Sequence, residues 1–192
     1  SVSSTKDKAF LFVHKHPVKS IQLSRLFNLC ISIDIKGLMA ISLLPTLELI
    51  TTVQLDQSIT PQKLVFVEGF GTIVVLGEKL LDSNSTVSCL TSFTINGTLI
   101  NQLVLDENVK IVDICPIIST NTGLDYIAAA YNNDVIIIHS AYSLKPKETV
   151  FRFDHPIKTI KYSQSSYIFI VCFHSQSDTD SNTPHIFPYF LN

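Results

Sequence analysis

Short apolar runs, many of them rich in β-branched residues, follow one another along the chain with polar or turn-forming residues between them. Runs of this kind predict β-strands. Between residues 16 and 55 they read VKSIQLS, LFNLCISID, LMAISLL and LELITTVQL. Residues 56–104 and residues 105–153 each hold four comparable runs, and residues 154–173 hold a partial unit. No segment keeps apolar residues at helical spacing over three turns, so the pattern predicts an all-β fold.

One of these runs recurs with its flanking residues. HPVKSIQLS begins at His16 and returns as HPIKTIKYS at His155, so the copies lie 139 residues apart. This is about three times the 40 to 50 residues of one four-stranded propeller blade. Asn96 and Gly97 predict a hairpin within the second unit, and residues 132–134 predict a polar turn within the third. The sequence therefore predicts a β-propeller segment of about four blades, and we expect it to belong to a larger propeller, commonly one of about seven blades.

A resemblance to a known repeat family lies in the first unit. SIDIKGLMAISLLPTLELI, from Ser32 to Ile50, resembles the middle of a WD-repeat blade, although the signature is degraded. Lys36 stands where the family usually has an aspartate before the turn glycine, and the chain has no tryptophan for the Trp-Asp dipeptide, which would fall near residues 43–44 or 139–140. The resemblance implies that the family's buried hydrogen-bond network is lost here. Stability would then rest more on packing between the sheets.

A closer resemblance is to the C-terminal propeller of BEACH-domain proteins, the neurobeachin and Beige family. It lies in GFGTIVVLGEK from Gly69, SFTINGTLINQLVL from Ser92 and DYIAAAYNNDVIIIHSAYSL from Asp125, and it spans roughly residues 15–173. The BEACH domain itself is not in this sequence. The resemblance implies a noncatalytic scaffold that binds protein partners through blade loops and rims. It also implies a large cytoplasmic protein, peripheral on endomembranes, that works in vesicle trafficking or lysosome-related membrane biology.

Two other interpretations remain open. The chain could be a structural propeller of another trafficking or coat assembly, or a propeller hydrolase with its site in the central channel. The hydrolase interpretation predicts polar or charged residues that converge on the inner strands. We place Ile21 and Ile160 on such inner strands, at equivalent positions of the repeat, and expect both side chains to be buried.

Composition and the chain ends limit the possible partners. With 46% hydrophobic and 16% charged residues the chain has ample material for a core, and a formal net charge of -2 gives no electrostatic reason to expect nucleic acid. No apolar run is long enough to cross a bilayer as a helix. Residues 1–14 are predicted to end a preceding blade, and residues 174–192 to form a polar loop and a C-terminal tail. The tail is a candidate last strand that Pro188 confines to an edge. Because Met39 is the only methionine, we expect the chain to be a fragment of a longer protein.

Several patterns resemble metal or anion sites, but each lacks residues that such a site needs. Asp178 to Asn182 places oxygen atoms as a calcium loop would, but Thr183 and Tyr189 stand where that loop needs glycine and an acidic residue. The pairs His14 and His16, and His174 and His185, have no cysteine or carboxylate at a ligand-like spacing. We interpret the first pattern as a surface loop, and His16 and His155 as structural residues between blades. The lysines near the start, at positions 6, 8, 15 and 19, are read as a solvated face rather than a patch for anionic lipids.

The remaining patterns also favour structural roles. Four cysteines lie within apolar strand runs and are predicted to be reduced, buried thiols: Cys30, Cys89, Cys115 and Cys172. Two glycosylation sequons begin at Asn84 and Asn96 and matter only in a secreted protein. The glycines at positions 69, 71 and 77 are followed by a strand-like run rather than by the helix that binds phosphate. The sequence thus predicts no catalytic, cofactor-binding or metal-ligating residue and no small-molecule substrate.

Overall fold

The described residues form four antiparallel sheets in the order of the chain. The structure, a computed structural model, describes residues 13–118, 125–163, 165–166, 168–173 and 185–188. Blade 1 contains β1 (Val18–Ser24), β2 (Leu29–Asp34), β3 (Leu38–Leu43) and β4 (Leu49–Gln54). Blade 2 contains β5 (Ile59–Val67), β6 (Thr72–Leu80), β7 (Thr86–Thr94) and β8 (Leu99–Val104). Blade 3 contains β9 (Ile111–Ile118), β10 (Asp125–Tyr131), β11 (Val135–Ser140) and β12 (Pro146–Arg152). Blade 4 contains β13 (Ile157–Ser163), β14 (Ile168–Phe173) and β15 (His185–Pro188).

Each sheet is a meander in which consecutive strands pair, and the first strands of neighbouring blades contact one another. This is the arrangement of a β-propeller, with β1, β5, β9 and β13 as the inner strands. The all-β prediction is therefore confirmed. Among the described residues, no helix has the length and apolar character needed to cross a lipid bilayer.

Successive side chains of the middle strands pack in alternation against the blade before and the blade after. In β6, Ile73 and Val75 pack against blade 1, whereas Val74 and Leu76 pack against blade 3. Because successive strand residues point to opposite faces, a sheet between two others must be apolar on both. This explains why the strand runs are nearly continuous in hydrophobic residues.

The two isoleucines at equivalent repeat positions have different environments. Ile160 is fully buried at the seam between blades 3 and 4, as predicted. Ile21 is 54% exposed, so the prediction that it is buried is wrong. Leu23, on the same face of β1, is 63% exposed. The physical reason is that none of the described blades packs against this face of β1, whereas blade 3 covers the matching face of β13.

The two turns predicted from sequence are present. Gly97 has a φ of +80° between β7 and β8, and its N–H donates to the Thr94 carbonyl at 2.9 Å. Asp134 has a φ of +63° between β10 and β11, and its N–H donates to the Tyr131 carbonyl at 3.1 Å. The tail also pairs as an edge strand, because β15 lies antiparallel to β14. The fourth sheet therefore includes residues beyond 173.

Blade 1 retains a buried polar network that the WD-repeat resemblance had implied to be lost. The His14 ring lies 2.7 Å from Ser32 Oγ through Nε2 and 3.3 Å from Asp34 Oδ2 through Nδ1. Asp34 Oδ1 accepts the N–H groups of Lys36 and Leu38, which closes the turn between β2 and β3. The acidic residue of this turn is therefore Asp34, two residues before Lys36, and the expected loss is wrong for this blade. His14 has a structural role.

Candidate protein-interaction site

A cavity of about 750 Å³ opens at the seam between blades 2 and 3. Three aromatic residues, Phe70, Tyr126 and Tyr142, line it together with the exposed residues Lys145 and Lys147. We call this cavity the seam pocket. It combines large apolar surfaces with basic groups, as binding sites for polypeptides often do.

Phe70 is held in place from the neighbouring blade. It lies in the turn between β5 and β6, where its N–H donates to Asp125 Oδ2 at 2.9 Å. The hydroxyl of Thr72 donates to the same oxygen at 3.1 Å. Burial raises the pKa of Asp125, and these hydrogen bonds from blade 2 oppose the rise. The ring of Phe70 nevertheless stays 68% exposed, so an aromatic group faces solvent on a fixed backbone.

Tyr142, in the turn between β11 and β12, is fixed in a similar way. Its carbonyl accepts the Ser92 hydroxyl at 3.1 Å, and the next carbonyl, that of Ser143, accepts Asn101 Nδ2 at 3.2 Å. Ser92 and Asn101 belong to blade 2, so both aromatic turns are tied across the seam. The side chain of Tyr142 is 62% exposed.

The buried His139 stabilises the Tyr142 turn through hydrogen bonds. His139 Nδ1 lies 2.9 Å from the Leu144 carbonyl, which can only accept, so Nδ1 carries the hydrogen. Nε2 therefore accepts the hydroxyl of Tyr131 at 2.8 Å. Burial lowers the pKa of His139 and raises the pKa of Tyr131 to about 12, so both groups stay neutral near pH 7. The turn thus rests on a neutral hydrogen-bond chain.

The charged residues of the seam pocket are mostly basic. Lys147 Nζ lies 4.8 Å from the centroid of the Tyr126 ring, a cation–π contact. Lys145 is exposed. Among the described lining residues Asp125 is the only acid, and it is 4% exposed. An incoming ligand therefore meets aromatic rings and positive charge.

A second polar cluster lies on the inner strands and links three blades. Asp113 of β9 accepts the Lys63 ammonium group of β5 through Oδ1. Through Oδ2 it accepts the Thr159 hydroxyl and, at 3.0 Å, the Ile160 N–H, both from β13. The hydrolase interpretation predicts polar residues converging in this region. Here both carboxylate oxygens are engaged in tying blades together, which gives the cluster a structural role.

The sequence-predicted candidates that the structure describes neither line the seam pocket nor bind Asp113. His16 and His155 are exposed, and His155 makes an edge-to-face contact with Phe173. The calcium-like segment at residues 178–182 and His174 lie outside the described residues, and only the backbone of His185 is described. Over the described part of the chain, no group of three or more His, Cys, Asp or Glu residues could hold a metal ion.

The cysteines, glycines and sequons lie in the strands and turns expected from the sequence. Three cysteines are buried, Cys172 is half-buried, and all four are free. Burial raises the pKa of Cys89 to about 11 and of Cys115 to about 12, so neither thiol ionises readily. Gly77 lies within β6, as the strand prediction requires. Asn84 and Asn96 are exposed in turns.

Sequence reasoning did not single out the seam pocket. Phe70 stands between two glycines and Tyr142 stands between two small residues, Ala141 and Ser143, so each is a large aromatic group inside a turn. An aromatic residue at a turn position is the local signal that could have identified them. Their proximity to one cavity depends on the packing of blades 2 and 3.

Comparison with known proteins supports the fold. No family model and no curated protein matches the chain. The β-propeller domain of Myceliophteria thermophila Cps50 (Swd1) is a similar structure, with a TM-score of 0.62, 16% identity, and coverage of 83% of this chain and 48% of that one. The Neurospora crassa Pan2 WD40 domain is similar at a TM-score of 0.59 and 12% identity, covering 84% and 45%. The computationally designed Ika4 protein is similar at a TM-score of 0.59 and 13% identity, covering 94% and 96%. The chain therefore has a WD40-type propeller fold and spans about half the length of the two natural propeller chains it resembles.

Proposed function

We propose that this chain is a noncatalytic scaffold that binds protein partners through the turns at its blade seams. The observation that carries the proposal is the pair of exposed aromatic residues, Phe70 and Tyr142, on turns fixed by hydrogen bonds from the neighbouring blade. A fixed turn loses little conformational freedom on binding, so more of the contact energy appears as affinity. Propeller blades suit this function because stacked sheets hold many loops in set relative positions.

The resemblance to the BEACH family refines the proposal. On that basis the chain is the C-terminal part of a BEACH-type protein, cytoplasmic and peripheral on endomembranes, acting in vesicle trafficking or lysosome-related membrane biology. The exposed residues Ile21 and Leu23 on β1 are consistent with further blades in the parent protein. A structural propeller of another trafficking or coat assembly would also need such blades. The sequence upstream of Ser1 separates the two, since a BEACH domain supports the first and an α-solenoid supports the second.

Proximity labelling in cells tests the scaffold proposal. A promiscuous biotin ligase is fused to the chain, to the double variant Phe70→Ser with Tyr142→Ser, and to the control Leu80→Ser. Leu80 is 49% exposed and lies at the opposite end of β6 from the seam pocket. We expect a reproducible set of neighbouring proteins, enriched in endomembrane components, that the double variant loses and the control keeps. A set no different from that of the free ligase would contradict the proposal.

The hydrolase alternative has its own test. Purified protein is assayed against ester, peptide and glycoside substrates beside an Asp113→Asn variant. Turnover by the parent chain that the variant abolishes, while its circular dichroism spectrum is unchanged, would overturn the noncatalytic assignment.

A further inference from the structure

We propose that the seam pocket binds a short acidic segment of a partner protein, with one large apolar side chain as its anchor. This inference rests on the proposed scaffold function, because it names the chemistry of the partner. The anchor packs on Phe70 and Tyr142, and carboxylates beside it face Lys145 and Lys147. Nothing in the sequence patterns assigned a ligand to this region.

The apolar part of the inference comes from size and exposure. Phe70 and Tyr142 are 68% and 62% exposed and line the same cavity, so together they expose an apolar surface of the kind that marks interaction sites. The cavity of about 750 Å³ lies within the range of roughly 300 to 1,000 Å³ that ligand pockets occupy. A pocket of this size accepts an aromatic or long aliphatic side chain together with part of its backbone. Because each turn is fixed by hydrogen bonds with the neighbouring blade, the pocket exists before the ligand arrives.

The choice of an acidic segment comes from charge. Lys145 is an exposed lining residue, and its positive charge attracts carboxylates and repels a basic peptide. Lys147, which lies over the Tyr126 ring, adds to the positive charge of the lining. Among the described lining residues the one acid, Asp125, is buried, and its Oδ2 accepts hydrogen bonds from Phe70 and Thr72. Its Oδ1 is buried without a hydrogen-bond partner in the described part of the chain, and the residue is only 4% exposed, so Asp125 places little negative charge on the exposed surface of the pocket.

A cationic ligand is the main rival for an aromatic pocket. Trimethyllysine and arginine side chains stack on aromatic rings, and Tyr126 could provide such a ring. Lys147 of the chain itself already lies 4.8 Å from the centroid of that ring. A second cation at the same place would meet the charge of the first, so the described geometry favours the acidic segment.

Selection from a peptide library displayed on phage identifies the preferred ligand directly. Twelve-residue random peptides are selected on the wild-type chain and, in parallel, on the double variant Phe70→Ala with Tyr142→Ala. We expect the wild type alone to enrich peptides in which an aromatic or leucine residue is flanked by Asp or Glu. Enrichment of Lys- or Arg-rich peptides that depends on the pocket would overturn the acidic assignment and support the cationic one.

Affinity measurements on an enriched acidic peptide then test the individual contacts. Fluorescence polarisation is expected to show a Kd raised about tenfold or more by Tyr142→Ala, as for an interface anchor. Lys145→Glu should weaken binding by a similar factor at low salt and by less at high salt, because salt screens exposed charges. Two controls match these changes: Leu80→Ala for the apolar truncation and Lys110→Glu for the charge reversal. Lys110 is exposed just before β9, at the end of blade 3 remote from the seam pocket.

The outcomes separate this inference from the general function. Peptides enriched equally on the wild type and on the double variant would leave a scaffold with a different binding surface and would refute the seam pocket. If the selection enriches no peptide on the wild-type chain, and the proteins labelled in cells do not differ from those labelled by the free ligase, both proposals are contradicted. An unchanged Kd for Lys145→Glu at low salt would refute the charge argument.

Discussion

Truncation of Ile160 to alanine should destabilise the protein strongly, whereas the same change at Ile21 should have a small effect. The two residues occupy equivalent positions of the repeat, so local sequence predicts equal costs. Ile160 is fully buried at the seam between blades 3 and 4, against a cluster that includes Cys115 and Phe169. Ile21 is 54% exposed.

The magnitudes follow from burial. Replacing a fully buried isoleucine by alanine costs about 2 to 5 kcal/mol, because the transfer free energy of the lost carbons is forfeited and a cavity remains. Three fully buried carbon groups alone account for about 2.4 kcal/mol at 0.8 kcal/mol each. Ile21 keeps roughly half of that burial and leaves no enclosed cavity, so its truncation should cost about 1 kcal/mol or less. Ile160→Asp should exceed both, because Asp113 Oδ2 lies 3.0 Å from the backbone nitrogen of residue 160 and a second carboxylate would be buried near it.

Urea unfolding followed by far-ultraviolet circular dichroism measures the difference, since the chain has no tryptophan to report by fluorescence. With a slope of about 2 kcal/mol per molar urea, Ile160→Ala should lower the midpoint by about 1.5 M and Ile21→Ala by about 0.5 M or less. Equal slopes for the variants would establish that the midpoints compare the same transition. Equal midpoint shifts for the two truncations, or no shift for Ile160→Ala, would refute the packing described for β1 and β13.

Three further predictions concern the polar groups and one turn. Asp113→Ala should lower the free energy of unfolding by about 3 to 5 kcal/mol in the same urea assay, because Lys63 and two groups of β13 lose their acceptor. The pKa of His139 is lower in the folded state than in the unfolded state, so its contribution to the free energy of unfolding should be complete above about pH 6.5. Below that pH the free energy of unfolding should fall by up to about 1.4 kcal/mol per pH unit. Thermal unfolding of His139→Gln should depend less steeply on pH. Gly71→Ala should destabilise the protein by about 1 to 3 kcal/mol and weaken peptide binding, because the φ of Gly71 is +73° and an added Cβ would lie 2.4 Å from Ile95 Cγ2. Calorimetry measures the loss of stability, and fluorescence polarisation measures the loss of peptide affinity.

The controls for these variants come from the same structure. Lys110→Ala tests whether loss of any exposed lysine alters unfolding, and we expect no change beyond about 0.5 kcal/mol. An Asp113→Ala variant as stable as the wild type would show that the inner strands do not depend on this carboxylate. An identical pH dependence for His139→Gln and the wild type would assign the titration to another group. A Gly71→Ala variant with unchanged stability and peptide affinity would contradict the turn geometry beside Phe70.

Much of the fold could be predicted because its causes are local. The strand runs follow from β-branched and aromatic residues that fit a pleated surface. The turn at Gly97 follows from a residue type that tolerates positive φ. The WD-repeat resemblance placed the acidic turn residue at position 36, whereas the structure places it at Asp34. The partner of Asp34, His14, lies 20 residues away in sequence, so no local pattern indicated their contact.

The candidate site could not be predicted because its parts are distant in sequence. Phe70 and Asp125 are separated by 55 positions, and Ser92 and Tyr142 by 50, yet hydrogen bonds across one seam join each pair. No local pattern reports which turn will face which strand of the next blade. The same limit explains Ile21, whose exposure depends on what packs beside β1 rather than on its own repeat.

The sequence by itself determined the strands, the hairpins and the number of repeated units, since these depend on neighbouring residues and on the recurrence of apolar runs between turn residues. Tertiary structure alone decided which equivalent residues are buried, which polar groups pair between blades, and that Phe70 and Tyr142 line one pocket. The physical reason is that burial and hydrogen bonding at a seam depend on surfaces from two blades, and each blade's sequence specifies only its own.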